Sequence, residues 1–157
     1  MNVLIDADAC PVVNIAVSLC RAYQVPCYLL CDTAHRMERP GAVTLTFDKG
    51  ADSVDFALAN RVQAGDLVIT QDYGVASMCL AKKAFVLHQD GWAYTTDNID
   101  ALLLQRHESR VYRASGGRTK GPKKRTPKQD AAFKQAMERL IQSNSTGTHP
   151  ADSTETP

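Results

Sequence analysis

A chain of 157 residues, 44% hydrophobic and 22% charged, has the length and make-up of one globular domain with a sizeable core. It contains no run of about 18 apolar residues, which excludes a membrane-spanning helix, and its five cysteines lack the spacing of a disulfide framework. The net charge of +1 hides an asymmetry: residues 1–109 hold 13 acidic and 8 basic side chains, whereas residues 110–128 hold 8 basic and none acidic.

Met1-Asn2-Val3-Leu4-Ile5-Asp6 has no positive region before its apolar run and does not read as a signal peptide. With free thiols implied by the cysteines, the expected setting is cytoplasmic. Asn2–Ile5 predicts a buried strand. Pro11 suits the first turn of a helix, and Val12, Ile15, Ala16, Leu19 and Cys20 recur at helical spacing after it. Val25–Cys31 predicts a second strand, Asp32–Gly41 a polar loop and Val43–Phe47 a third strand. Gly50–Ala64 carries Val54, Leu58 and Val62 four apart, an amphipathic helix. Gly65-Asp66 signals a turn. Leu67–Thr70 is a fourth strand, followed by a short helix to about Lys82 and a fifth strand at Ala84–Leu87. Trp92 and Tyr94 fall near a turn, and Ile99–Tyr112 predicts a further helix.

A basic loop at 114–125 contains three glycines. Thr126-Pro127-Lys128-Gln129 then matches a capping box with proline in the first helical position. The stripe Phe133, Ala136, Met137, Leu140 and Ile141 predicts a docked helix over 127–142. Residues 143–157 have the low-complexity composition of a disordered tail. Strands alternating with helices imply βαβ units and a mostly parallel sheet, so residues 1–142 are expected to form a single domain.

Such a sheet gathers ligands beyond the carboxyl ends of its strands. Asp6 and Asp8 follow the first strand, Asp52 and Asp55 lie near the start of the helix after the third, and Asp72 follows the fourth. Carboxylates crowded together repel, and a hard divalent cation such as Mg²⁺ relieves this while bridging to phosphate oxygens. Asp8 and Asp52 also stand where helix N-caps would, and Asp72 where a turn residue would. Asp6 is hardest to explain structurally, because a lone charge at the end of a buried strand is costly.

Val3-Leu4-Ile5-Asp6-Ala7-Asp8-Ala9-Cys10-Pro11 resembles the first-strand motif of the bacterial YaiI/YqxD family, assigned to the PIN-like superfamily of nuclease folds. The resemblance continues through Gly50–Asp55, Asp66–Gly74 and Gly116–Pro122, and spans residues 1 to about 142. It implies a PIN-like three-layer α/β/α sandwich and a nuclease that cuts RNA with Mg²⁺ or Mn²⁺. The same resemblance places Asp6, Asp52 or Asp55, and Asp72 at the metal, with Asp8 as a second first-strand carboxylate. PIN-like domains often pair, which implies a homodimer. One departure is that Tyr73–Leu80 contains no acid, where many PIN nucleases carry a further Asp.

The expected chemistry is hydrolysis of RNA or another single-stranded nucleic acid, with Asp6, Asp8 and Asp72 as catalytic carboxylates and Thr70 or Gln71 orienting water or phosphate. Arg113, Arg118, Lys120, Lys123, Lys124 and Arg125 form a candidate phosphate-binding segment, to which Tyr112 adds a stacking ring. His35 and Arg36, after the second strand, belong to the same edge. His88 and the pair Cys27 and Cys31 read as core or edge residues. Two other readings compete. Asp6-Ala7-Asp8 also resembles the start of a haloacid-dehalogenase phosphatase with Asp6 as nucleophile, Thr33 and Lys49 standing in for its other groups. The fold is also compatible with a non-catalytic RNA-binding module.

Overall fold

The computed structural model describes residues 1–50, 52–121 and 123–145. The chain runs β1 (Val3–Asp6), α1 (Val13–Ala22), β2 (Cys27–Asp32), β3 (Val43–Phe47), α2 (Ser53–Arg61), β4 (Leu67–Ile69), α3 (Tyr73–Ala81), β5 (Phe85–Leu87), β6 (Ala93–Tyr94), α4 (Ile99–Ala114) and α5 (Pro127–Ser145). The strands form one sheet in the order β3-β2-β1-β4-β5-β6. All neighbours are parallel except β5 and β6. The order reverses between β1 and β4, so the crevice beyond their carboxyl ends is the topological switch point where open α/β sheets bind ligands.

Side chains alternate across a strand, and β1 serves both layers in this way. Val3 and Ile5 face α1 and α5, whereas Leu4 faces the layer of α2, α3 and α4. The result is a three-layer α/β/α sandwich. Phe133, Met137 and Ile141 of α5 are fully buried. At about 1.5–3 kcal/mol for each buried side chain, they make α5 an integral part of the fold. Its capping box forms as the motif predicts, with the Thr126 N–H donating to Gln129 Oε1 at 2.7 Å. All five cysteines are free thiols, and no helix among the described residues is long and apolar enough to cross a membrane.

Several boundaries differ from expectation. The antiparallel edge strand β6 adds a sixth strand where only a turn was expected. Helix α2 starts at Ser53 rather than Gly50, because Asp52 adopts a left-handed φ of 65° that a helix interior does not accept. Helix α5 runs on to Ser145. Its last turn lies in residues expected to begin the tail, and there Ser143, Asn144 and Ser145 each donate a side-chain hydrogen bond to the carbonyl four residues earlier. Residues 146–157 of that tail lie outside the described residues.

The β5–β6 turn approaches α5 so closely that a Cβ on Gly91 would lie 2.5 Å from the Ala132 carbonyl carbon, and Gly91 also needs a φ of +89°. Arg125 ties the same junction together. Its guanidinium donates to Asp90 at 2.7 Å, Asp130 at 2.6 Å and the Gln89 carbonyl at 2.7 Å.

Candidate active site

The switch-point crevice opens into a cleft of about 480 Å³. Asp6 and Asp8 enter it from the end of β1, Asp55 from α2, and Gln71, Asp72 and Tyr73 from the β4–α3 junction. Arg106 of α4 closes one side.

Local geometry fixes the carboxylates. The buried Thr70 hydroxyl donates to Asp6 Oδ2 at 3.0 Å and accepts the Asp72 N–H at 3.0 Å, so one side chain registers both acids. Asp72 caps α3 by accepting the Val75 N–H at 3.0 Å through Oδ1. Arg106 Nη1 lies 3.5 Å from the same oxygen. Gly74 keeps this corner open, since a Cβ there would come within 3.1 Å of Asp72 Oδ1. Asp72 thus serves as a cap and as a wall of the cleft.

The electrostatics follow from crowding and burial. Burial, opposed by the Thr70 hydrogen bond and reinforced by the charges of Asp55, Asp8 and Asp72, pushes the Asp6 carboxyl up to about 6. Asp55 is also raised, by burial and then by Asp72 and Asp52. Asp8 is raised chiefly by burial, against the hydrogen bond it accepts from the Asp32 N–H. Its Oδ1 is shut off from solvent with no hydrogen-bond donor. Asp66 shows what a structural acid looks like in this fold. It is buried at the opposite end of β4, and its two oxygens accept the N–H groups of Asn2 and Gln63. Neither Asp6 nor Asp8 is satisfied in that way.

Asp52 makes no capping bond and does not line the main cleft. It borders an adjoining depression shared with Asp55, Asp72 and Arg106. His35 Nδ1 lies 2.8 Å from Asp32 Oδ1 and 4.0 Å from Asp8 Oδ1. Burial is the largest single influence on the Asp32 carboxyl and raises it, but the hydrogen bonds from His35 and the Ala34 N–H, with the His35 charge, together outweigh it and leave the carboxyl below its usual value. Among the described residues, Asp8, Asp32 and His35 are the trio that brings one potential ligand atom each within 4.8 Å of the others. Asp6, Asp55 and Asp72 stand further apart.

Arg36 pairs with Glu38 at 2.7 Å. Arg113, Arg118, Lys120, Lys123 and Lys124 are exposed. Arg125 departs from the sequence expectation of phosphate contact, because its three bonds to the β5–β6 turn and α5 give it a structural task. Thr33 and Lys49, the stand-ins for phosphatase groups, are exposed and do not line the cleft. Sequence reasoning missed Asp32 and Arg106. Asp32 carried a usable signal, since it ends β2 at the same sheet edge as Asp6. Arg106 carried none, because only the path of α4 across α3 brings it to Asp72.

Tyr73 joins the cleft to a cluster of rings. Its centroid is 5.9 Å from that of Tyr94, and Trp92 stacks on His88 at 4.4 Å. His88 and Tyr94 therefore pack within the fold, and neither lines the cleft.

Residues 4–143 match the family described as "Uncharacterized BCR, YaiI/YqxD family". A UPF0178 protein of Exiguobacterium sibiricum is 51% identical over 90% of this chain and 96% of its own length. UPF0178 proteins of Ruminiclostridium cellulolyticum and Clostridium acetobutylicum are each 45% identical, over 94% and 90% of this chain and 96% and 97% of theirs. No solved structure matches the chain.

Proposed function

The chain belongs to the YaiI/YqxD family, and from the cleft it builds on that scaffold we propose that it is a divalent-metal-dependent nuclease hydrolysing phosphodiester bonds in RNA or other single-stranded nucleic acid. The observation that carries this reading is the convergence of Asp6, Asp8, Asp55 and Asp72 with Arg106 at the switch point of the sheet. Four acids in one crevice suit a hard cation, and a guanidinium beside them suits a phosphate.

The residues fit a metal. Four carboxylates line the cleft, burial and the neighbouring acids raise the Asp6 carboxyl to about 6, and Asp8 Oδ1 is buried without a donor, all costs of crowded negative charge that a cation beside them would offset. Asp6, Asp55 and Asp72 would hold Mg²⁺ or Mn²⁺, with Asp52 as a flanking acid. Such an ion supplies Lewis acidity and offsets charge on the phosphate.

The chain's own groups do the rest. Thr70 fixes the rotamer of Asp6 and the backbone of Asp72, holding the acids in register. Arg106 binds a non-bridging phosphate oxygen and neutralises part of the charge that develops there. Gln71 offers an amide at the mouth of the cleft, and Tyr73 supplies an apolar wall. Asp8 would accept the proton of an attacking water through Oδ2, the oxygen that is not shut off from solvent and that also takes the Asp32 N–H.

The test is an assay of labelled single-stranded RNA and DNA with the full chain in Mg²⁺, Mn²⁺ or EDTA. Cleavage is expected only with metal, and Asp6→Asn should lower it at least about 100-fold, a loss of about 2.7 kcal/mol in transition-state stabilisation. Metal-dependent cleavage that survives Asp6→Asn would overturn the assignment, as would no cleavage by the unaltered chain in either metal.

A further inference from the structure

Helix α4 changes character along its length. Ile99 is buried, and Leu102 packs against the same core cluster. At 3.6 residues per turn, Arg106, Arg110 and Arg113 continue the face of Ile99 and Leu102 within an arc of about 80°. The side of α4 that meets the core in its first turns therefore becomes arginine as the helix passes the acidic cleft. Arg106 fixes the direction of this face, because its guanidinium already reaches Asp72. The acids of α4, Asp100 and Glu108, lie about 120° and 160° away from Arg106 around the helix.

Arg110 and Arg113 are exposed and form no ion pair among the described residues. Arginines that stabilise a fold find carboxylates, as Arg125 does. These two lie in a row leading out of the cleft, about 10 Å from first to last counting Arg106. At the end of the row the chain turns back. The Gly117 N–H donates to the Tyr112 carbonyl at 3.0 Å, and Gly116 takes a φ of +93°. That turn starts Arg118 and the basic loop beside the exposed ring of Tyr112.

We propose that α4 forms one wall of a path for a single nucleic-acid strand, with Arg106, Arg110 and Arg113 gripping successive phosphates beyond the one over the carboxylates. This rests on the nuclease reading and deepens it, by defining the substrate as an oligonucleotide several phosphates long. A small phosphomonoester would use Arg106 alone and leave the outer two arginines without a task.

The experiment measures binding of fluorescent single strands of two, four, eight and twelve nucleotides to the full chain in Ca²⁺, at several salt concentrations, with RNA and DNA arms and a duplex control. Affinity should rise from two to eight nucleotides. Each phosphate contact on a single strand contributes about −0.7 to the slope of log K against log salt, so Arg110→Gln with Arg113→Gln should make it shallower by about 1.4. The double variant should melt like the unaltered chain and lose length dependence; Arg110→Glu with Arg113→Glu should weaken binding further. An unchanged slope in both double variants would overturn the proposal, as would equal affinity for two and eight nucleotides, or duplex binding as tight as single-strand binding. The two readings fail separately. Length-dependent binding without cleavage in any divalent metal removes the nuclease and leaves the path. Metal-dependent cleavage whose KM ignores both double variants does the reverse.

Discussion

Replacing Asp6 with asparagine should make the protein more stable while abolishing its chemistry. Asn is nearly isosteric, and its Oδ1 can still accept the Thr70 hydroxyl, so packing is conserved. What disappears is a carboxyl whose proton affinity in the fold is raised from the ordinary 3.8 to about 6. At 1.36 kcal/mol for each tenfold change in proton affinity, that rise is worth about 3 kcal/mol. The native state binds the proton more tightly than the unfolded chain. Asp6 is therefore harmless below pH 3.8, becomes progressively destabilising as pH rises to about 6, and exacts its full cost above that. Thermal melts of both forms from pH 3.5 to 8 should nearly coincide at the acid end. Near pH 8 they should separate by roughly 6–12 °C, on the scale of about 2–4 °C per kcal/mol for a chain of this size. Mg²⁺ at about 100 times its Kd adds about 2.7 kcal/mol to whatever binds it, so it should close the gap by raising the unaltered chain alone. A gap that is the same at pH 4 and pH 8, or no gap at any pH, would refute the account of Asp6 as a buried acid kept charged for function.

The other predictions concern what holds the cleft in place. Thr70→Val removes the partner of Asp6 and orphans the Asp72 N–H, and should destabilise by about 1–3 kcal/mol in urea melts while raising the Asp6 carboxyl further in an NMR titration. Thr70→Ser keeps the hydroxyl and should change the titration little. Arg125→Ala leaves Asp90 and Asp130 without their shared cation and should cost about 2–3 kcal/mol, with no change in the salt slope of nucleic-acid binding if its role is structural. Gly91→Ala forces a Cβ into the α5 backbone at a φ of +89° and should destabilise by about 3 kcal/mol or more, seen as loss of soluble protein or a large drop in melting temperature.

The placement of the acids was legible because strand ends are legible. A β-branched apolar run that stops at Asp6, and another that stops before Asp72, need only the rule that parallel strands share a carboxyl edge. The sheet order then sets β1 beside β4, and the two acids meet. Strand β6 was not legible, because two residues between a glycine turn and Thr95 carry no period. The start of α2 was hidden for a different reason. Asp52 in the left-handed region is a backbone fact, which an aspartate tolerates without announcing.

Charge was the least reliable guide to role, and the arginines show why. Arg125 and Arg118 sit in one basic run, yet Arg125 is bound by acids from two other elements and Arg118 is exposed. Arg106 lies outside that run, in the net-acidic stretch of residues 1–109, and reaches the centre of the site. A run of like charge describes neighbours along the chain, whereas a site is defined by neighbours across it. Periodicity bridges the two where an element is regular, which is how Arg110 and Arg113 can be assigned to the face of Arg106. Within the loop no period exists, and the duties of Arg118, Lys120, Lys123 and Lys124 have to be read from salt dependence rather than from spacing. A strand that leaves the carboxylates along α4 would meet that loop next, so removing the loop's charges should shorten the length over which affinity still grows, without altering the contacts nearest the cleft.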